Sequence, residues 1–182
     1  MASQPRMVKV LLALIVSMTS GAAVLIALGN NAPSAGPFSL AAYRQLDSIE
    51  SSIVSRSPLQ PNRWNCIEVY YSGSKAGNIP QLASLEGTSQ PEELNCHFCL
   101  CNGLGGDDGQ ILATERWLMQ WSCSQNQTWF GSPQTIRVCV VSDGQATPPT
   151  DCQKRRVVSL IDTLCKKFNI PGSSVYLPPN WQ

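Results

Sequence analysis

Three hydroxyl-bearing side chains in a row, Tyr70, Tyr71 and Ser72, close the run from Arg63 to Ser72. Ile67 and Val69 alternate with Glu68 and Tyr70 in that run, and Ser72-Gly73-Ser74 supplies a turn, so the pattern predicts a strand that delivers the hydroxyls to a sheet edge. Loops at such edges are where function concentrates. A second chemistry-bearing group is His97, the chain's one histidine, set among Cys96, Cys99 and Cys101.

That second group invites a metal, and strand geometry argues against one. On a strand, His97, Cys99 and Cys101 share a face and Cys96 points to the other, yet neighbours two apart are roughly 6.6 Å from each other. Thiolates sharing a zinc must sit about 3.8 Å apart, given bonds near 2.3 Å. Core packing with one disulfide is the simpler expectation. Cys96 and Cys99 also have Cys-x-x-Cys spacing, but no helix opens behind them as redox catalysis needs. The glycine-rich turn from Asn102 to Gly109 lacks the lysine and Ser/Thr of a phosphate-binding loop.

The elements that must position these groups are legible from Leu40 onward. Leu40, Tyr43, Leu46, Ile49 and Ile53 recur at helical spacing, and Pro58 and Pro61 stop that helix before the first strand. Ile79 to Glu86 reads as a short helix. Cys96 to Cys101 and Gln110 to Arg116 read as two strands of a hairpin with an expanded loop, and Thr135 to Val141 as a further strand. Thr150 and Gln153 form a capping box for a helix whose apolar stripe is Val157, Ile161, Leu164, Cys165 and Phe168. Ser173 to Leu177 reads as a last short strand. Strands alternating with helices predict an α/β (α+β) sheet domain.

Composition sets the surroundings. In 182 residues, formal net charge is +1 and charged residues are only 14%, so no field favours nucleic acid, which is excluded as a partner. No charge falls between Val10 and Gly29, a stretch of about 20 residues that matches the hydrocarbon layer. Arg6 and Lys9 precede it, which predicts a single-pass transmembrane helix with a cytoplasmic N-terminus and everything after it exported, periplasmic or extracellular. A cleaved signal peptide is the rival, since Ala27 and Gly29 are small. The expected organisation is 1–29 cytoplasmic tip and anchor, 30–39 a Pro/Gly/Ser-containing linker, and 40–182 one exported domain. Eight cysteines fit an oxidising compartment. Asn126-Gln127-Thr128 is a sequon that matters where exported proteins are glycosylated.

The order of motifs from Pro58 to the C-terminus resembles the zinc-dependent N-acetylmuramoyl-L-alanine amidase and peptidoglycan recognition protein family. The motifs are Pro58 to Trp64, the strand ending Tyr70-Tyr71-Ser72, His97 to Gly103, Asp108 to Ile111, Arg116-Trp117, Ile136 to Val141, and the helix from Thr150 with Ile170-Pro171 after it. The resemblance implies a central mixed β-sheet flanked by helices, with a substrate groove at the strand ends. It also implies a three-ligand zinc whose open position activates water. Here the family's first ligand histidine is matched by Tyr70 and the second by Pro178, while the third would lie beyond Gln182. Cys96 stands where a tyrosine is usual, Arg137 where glycine is, and His97 matches a position that is not a ligand.

The resemblance therefore implies an amidase-like domain without turnover, with no cofactor, that binds peptidoglycan or muropeptide fragments while its N-terminal helix holds the membrane. Groove candidates are Tyr70, Tyr71, Ser72, Asn102, Arg116, Trp117 and Trp121, because tyrosine and tryptophan stack on sugar faces and donate hydrogen bonds. A packed face is the other reading of Trp117 and Trp121. Two alternatives stay open: an active amidase that recruits zinc through relocated ligands such as Cys96 or Cys123, and a disulfide-tied structural or interaction protein of the envelope.

Overall fold

A computed structural model describes residues 8, 10–11, 14–20, 46–88, 90–125, 129 and 131–181. The chain divides into two compact units, Met1–Arg44 and Gln45–Gln182. In the first, residues 14–20 are helical. Among the described residues no helix is long and apolar enough to cross a membrane. Much of the span expected over 10–29, the whole linker, the start of the helix at Leu40 and the sequon at Asn126 fall outside the described residues.

The second unit is a mixed α/β domain built on one five-stranded sheet. Its strands are β1 (Cys66–Tyr71), β2 (Phe98–Leu100), β3 (Ile111–Ala113), β4 (Thr135–Val140) and β5 (Val175–Tyr176). The order across the sheet is β3-β2-β4-β1-β5. Only β2 and β3 are antiparallel; β4 pairs in parallel with both β2 and β1, and β1 in parallel with β5. Parallel strands need a crossover between them. The longest one is α4 (Asp151–Phe168), which links β4 to β5.

Strand β4 is buried along its whole length, and its alternation sorts the core into two layers. Ile136, Val138 and Val140 pack with Ile67, Val69, Phe98 and Leu100 against Val157, Leu160, Leu164 and Phe168 of α4. Cys139 and Val141 pack with Cys96, Cys99 and Leu94 against Leu82 and Ala83 of α2 (Ile79–Leu85). A strand covered on both faces tolerates a continuous apolar run. The buried edge of α4 is displaced from the expected stripe: Leu160 is fully buried, whereas Ile161 and Cys165 only flank the core.

Three short elements differ from expectation. The first helix, α1 (Ile49–Ser52), is a single turn capped by Ser48, although Ile49 and Ile53 are buried as the spacing requires. Strand β2 starts at Phe98 rather than Cys96; just before it the Thr114 hydroxyl donates to the carbonyls of Cys96 and His97 at 2.6 and 3.1 Å. The same Thr114 ends β3 and opens α3 (Glu115–Leu118), so Arg116 is helical and not part of a strand.

The capping box at α4 does more than start a helix. Gln153 is fully buried; its oxygen accepts from the Thr150 amide at 3.0 Å, and its Nε2 donates to the carbonyls of Leu100 and Val141 at 3.0 and 3.1 Å. One amide thus joins the helix N-terminus to the ends of β2 and β4. Removing it takes the side-chain donor from Val141 O and one of two donors from Leu100 O, which keeps the Val141 amide; losing a partner at a buried carbonyl costs about 1–3 kcal/mol. Gln153→Leu is accordingly expected to lower unfolding free energy by about 2 kcal/mol, read from the shift of the urea midpoint at unchanged slope.

Candidate functional site

Strand alternation sends Tyr70 to the α2 layer and Tyr71 to the α4 layer, and both meet at the C-terminal end of β1. There Ser72 continues the pairing through its amide to Val140 O at 2.9 Å, and its hydroxyl accepts from the amides of Ser142 and Ser74, each at 3.2 Å. Ser72 therefore ties the β1 and β4 turns together. Tyr71 stacks on Trp181, ring centroids 6.2 Å apart. Gly144 lies against that ring with φ of 81°, and a Cβ there would come within 2.9 Å of it. Only glycine meets both conditions.

A groove of about 700 Å³ opens beside this strand end. Tyr70, Tyr71, Ser72, Glu68 and Arg137 form one wall; Glu86, Thr88, Glu93, Asn95, Arg116 and Ser124 form the rest. The Tyr70 and Tyr71 hydroxyls are buried and have no hydrogen-bond partner among the described residues. Burial pushes the Tyr70 phenol well above its ordinary value, the Cys139 and Cys96 thiols add to the rise, and Arg137 opposes it. Tyr70 is thus a neutral phenol rather than a tyrosinate.

Arg137 organises the wall. It is 6% exposed, its Nε donates to Glu68 Oε2 at 2.9 Å, and its Nη1 donates to Asn95 O at 2.6 Å. The guanidinium lies over the Tyr70 ring at 4.1 Å and the Trp129 ring at 4.7 Å. Glu68 and Arg137 are direct partners across β1 and β4. In the sequence Arg137 stands out only as a departure from glycine, and Glu68 belongs to none of the motifs. The available signal was two opposite charges in the middle of strand-like runs, one of them two residues before Tyr70.

The other expected groove residues divide. Arg116 lines the groove, but its guanidinium is held by the carbonyls of Leu94, Ser122 and Glu93 at 2.9, 2.9 and 3.3 Å. Asn102 donates to Lys75 O at 2.8 Å, away from the lining. Trp117 is fully buried, packed on Phe98 and Trp64. Trp121 is half exposed, and it and Pro178 lie outside the lining.

No protein-family model matches the chain, and no curated protein matches it. Among solved structures, the PGRP-Hd from Alvinella pompejana is similar to it. That similarity has a TM-score of 0.42 and 16% identity, over 71% of this chain and 86% of the other.

His97 and the cysteines are placed differently from the strand parity. Because β2 begins only at Phe98, His97 does not share a face with Cys99 and Cys101; its ring packs edge-on against Trp64 at 4.8 Å, and Cys96 joins Cys99 in the α2 layer. Both imidazole nitrogens are engaged. Nδ1 accepts from the Arg137 amide at 2.9 Å, and Nε2, then protonated, donates to Trp121 O at 2.9 Å. Cys123 Sγ is 3.5 Å from Nδ1, but that nitrogen is occupied and burial pushes the Cys123 thiol up to about 12. The pair is not an activated nucleophile. All eight cysteines are thiols in this structure, so the expected disulfide is not seen. Among the described residues no three His, Cys, Asp or Glu side chains are grouped to hold a metal.

Burial lowers His97 from 6.5 to about 3, with nearby arginines adding to the effect and the Trp121 carbonyl opposing it. Below pH 6.5 the unfolded chain therefore binds a proton that the folded chain refuses. Stability falls as pH drops, by up to about 1.4 kcal/mol per unit, until the folded histidine itself protonates near pH 3. Urea titrations from pH 7 to pH 4 should show this decline, and the wild type should lose more than His97→Gln over that range.

Proposed function

We propose that the second unit is an amidase-like domain that binds peptidoglycan or muropeptide fragments without hydrolysing them. The observation that carries this reading is the groove at the end of β1, one wall of which is formed by Tyr70-Tyr71-Ser72, the residues that match the ligand motif of the family it resembles. Flat rings beside polar groups suit sugar faces and amides.

The residues present do not fit the family's zinc. Tyr70 is held as a phenol, Pro178 has no donor atom, and His97 has both nitrogens committed in the core. The sequence supports an anchor at residues 10–29 that would hold the domain on the outer side of a membrane, beside such a ligand.

Two measurements test the reading. The full chain should be retained by purified sacculi, and Tyr70→Ala with Tyr71→Ala should weaken retention about tenfold, a change of about 1.4 kcal/mol. Equal retention of wild type and double variant would refute the groove. Metal analysis should find zinc far below one per chain, and stoichiometric zinc with release of stem peptide from muropeptides would instead establish an active amidase.

A further inference from the structure

The groove beside Tyr70 is not the last opening on its face of the sheet. A second pocket of about 500 Å³ lies toward the start of β1, and Glu68 lines both. Strand alternation puts Cys66, Glu68 and Tyr70 on one face. Cys66 with its β4 partner Thr135 lines the second pocket, and so does Tyr176, the β5 partner of Glu68. Tyr176, Glu68 and Arg137 therefore form one row across β5, β1 and β4.

Two members of this row are open to a ligand. Tyr176 is 59% exposed, so its ring can be covered by something that arrives from solvent, whereas Trp129 is buried and serves only as a wall. Gly131 permits that wall, since a Cβ there would come within 2.5 Å of the Trp129 ring. Glu68 gives Oε2 to Arg137 Nε at 2.9 Å, and its Oε1 has no hydrogen-bond partner among the described residues. Arg137 thus fixes the carboxylate and leaves one oxygen free where the two pockets meet.

Length and chemistry select the occupant. From Cys66 to Tyr70 the strand covers about 13 Å, more than one sugar ring. Both edges of β1 are already paired, with β4 and β5, so a peptide laid on this face finds none of the main-chain partners that hold an added strand. What the second pocket offers instead is an open phenol ring, a carboxylate oxygen and the exposed Ser132 hydroxyl. The ring suits the apolar face of a pyranose, and the oxygens suit its hydroxyls.

We propose that the second pocket is a subsite for a further sugar ring, so that the domain holds a glycan strand along β1 rather than a single saccharide unit at the tyrosine end. This rests on the binding reading given above and names the part of the ligand that continues past the groove. Glu68 accepts from a sugar hydroxyl at the crossing between the pockets, and Tyr176 stacks on the ring beyond it.

Isothermal titration of the full chain with peptide-free disaccharides and tetrasaccharides released from digested sacculi tests the subsite. The tetrasaccharide is expected to bind roughly tenfold more tightly than the disaccharide. Tyr176→Val, which keeps a strand-forming residue at an exposed position, is expected to remove most of that difference. Equal affinities in the wild type, a ratio unchanged by Tyr176→Val, or a free stem peptide that loses affinity on the same substitution would each overturn the subsite. Failure of both saccharides to bind would overturn it too. Retention on sacculi separates that result from failure of the groove itself: retention that still depends on Tyr70 and Tyr71 leaves the groove standing, and retention indifferent to them removes both.

Discussion

A guanidinium that is 6% exposed is expensive to keep charged, and the domain meets that cost with one carboxylate, one carbonyl and two aromatic faces. Arg137 takes its countercharge from Glu68 directly across β1, its hydrogen bond from Asn95, and its stacking from Tyr70 and Trp129. Glu68 and Tyr70 come from β1, Asn95 from just before β2 and Trp129 from the approach to β4. The arginine thereby fixes the β1–β4 register, the approach to β2 and the tilt of a groove tyrosine at once. A buried pair of this kind adds little net stability, but losing one member leaves the other charge unpaired in the core. The arrangement specifies geometry more than it strengthens the fold.

The same site explains why the histidine is structural. His97 spends Nδ1 on the amide of Arg137 and Nε2 on the carbonyl of Trp121, while the Trp64 and Trp117 rings enclose it. An imidazole so held has neither a free lone pair nor an accessible proton. In the reading proposed above, the metal-binding wall of an amidase has become a wall of rings and hydroxyls around a fixed cation.

Much of the architecture was legible because it follows from short-range rules. The Thr150–Gln153 box, the runs around Val69 and Val138, and the glycines of the β2–β3 loop identify helix, strands and hairpin without tertiary information. Parity failed at Cys96 and His97: the His97 backbone still pairs with Thr114 and Arg137, but its ring turns to Trp64 while Cys96 joins Cys99 in the α2 layer. Tyr70, Tyr71, Ser72 and Arg116 were expected together from the motif resemblance, and all four line the groove beside β1. Glu93 could not be placed this way, because no spacing in the sequence reveals which turn will fold over which strand, whereas Glu68 was readable only as a charge inside a strand-like run.

The strand order carries a consequence for how the groove comes into being. β1 holds both tyrosines, yet its neighbours are β4, at residues 135–140, and β5, at 175–176. A chain emerging from the ribosome exposes the tyrosine strand with both hydrogen-bonding edges open until nearly the whole domain has been made. Non-local parallel pairing of this kind is slow to form, and unpaired edges invite wrong partners. The residues that protect β1 are therefore made long after it, and removing β5 would harm the groove by exposing an edge of β1 rather than by removing a residue of the groove lining.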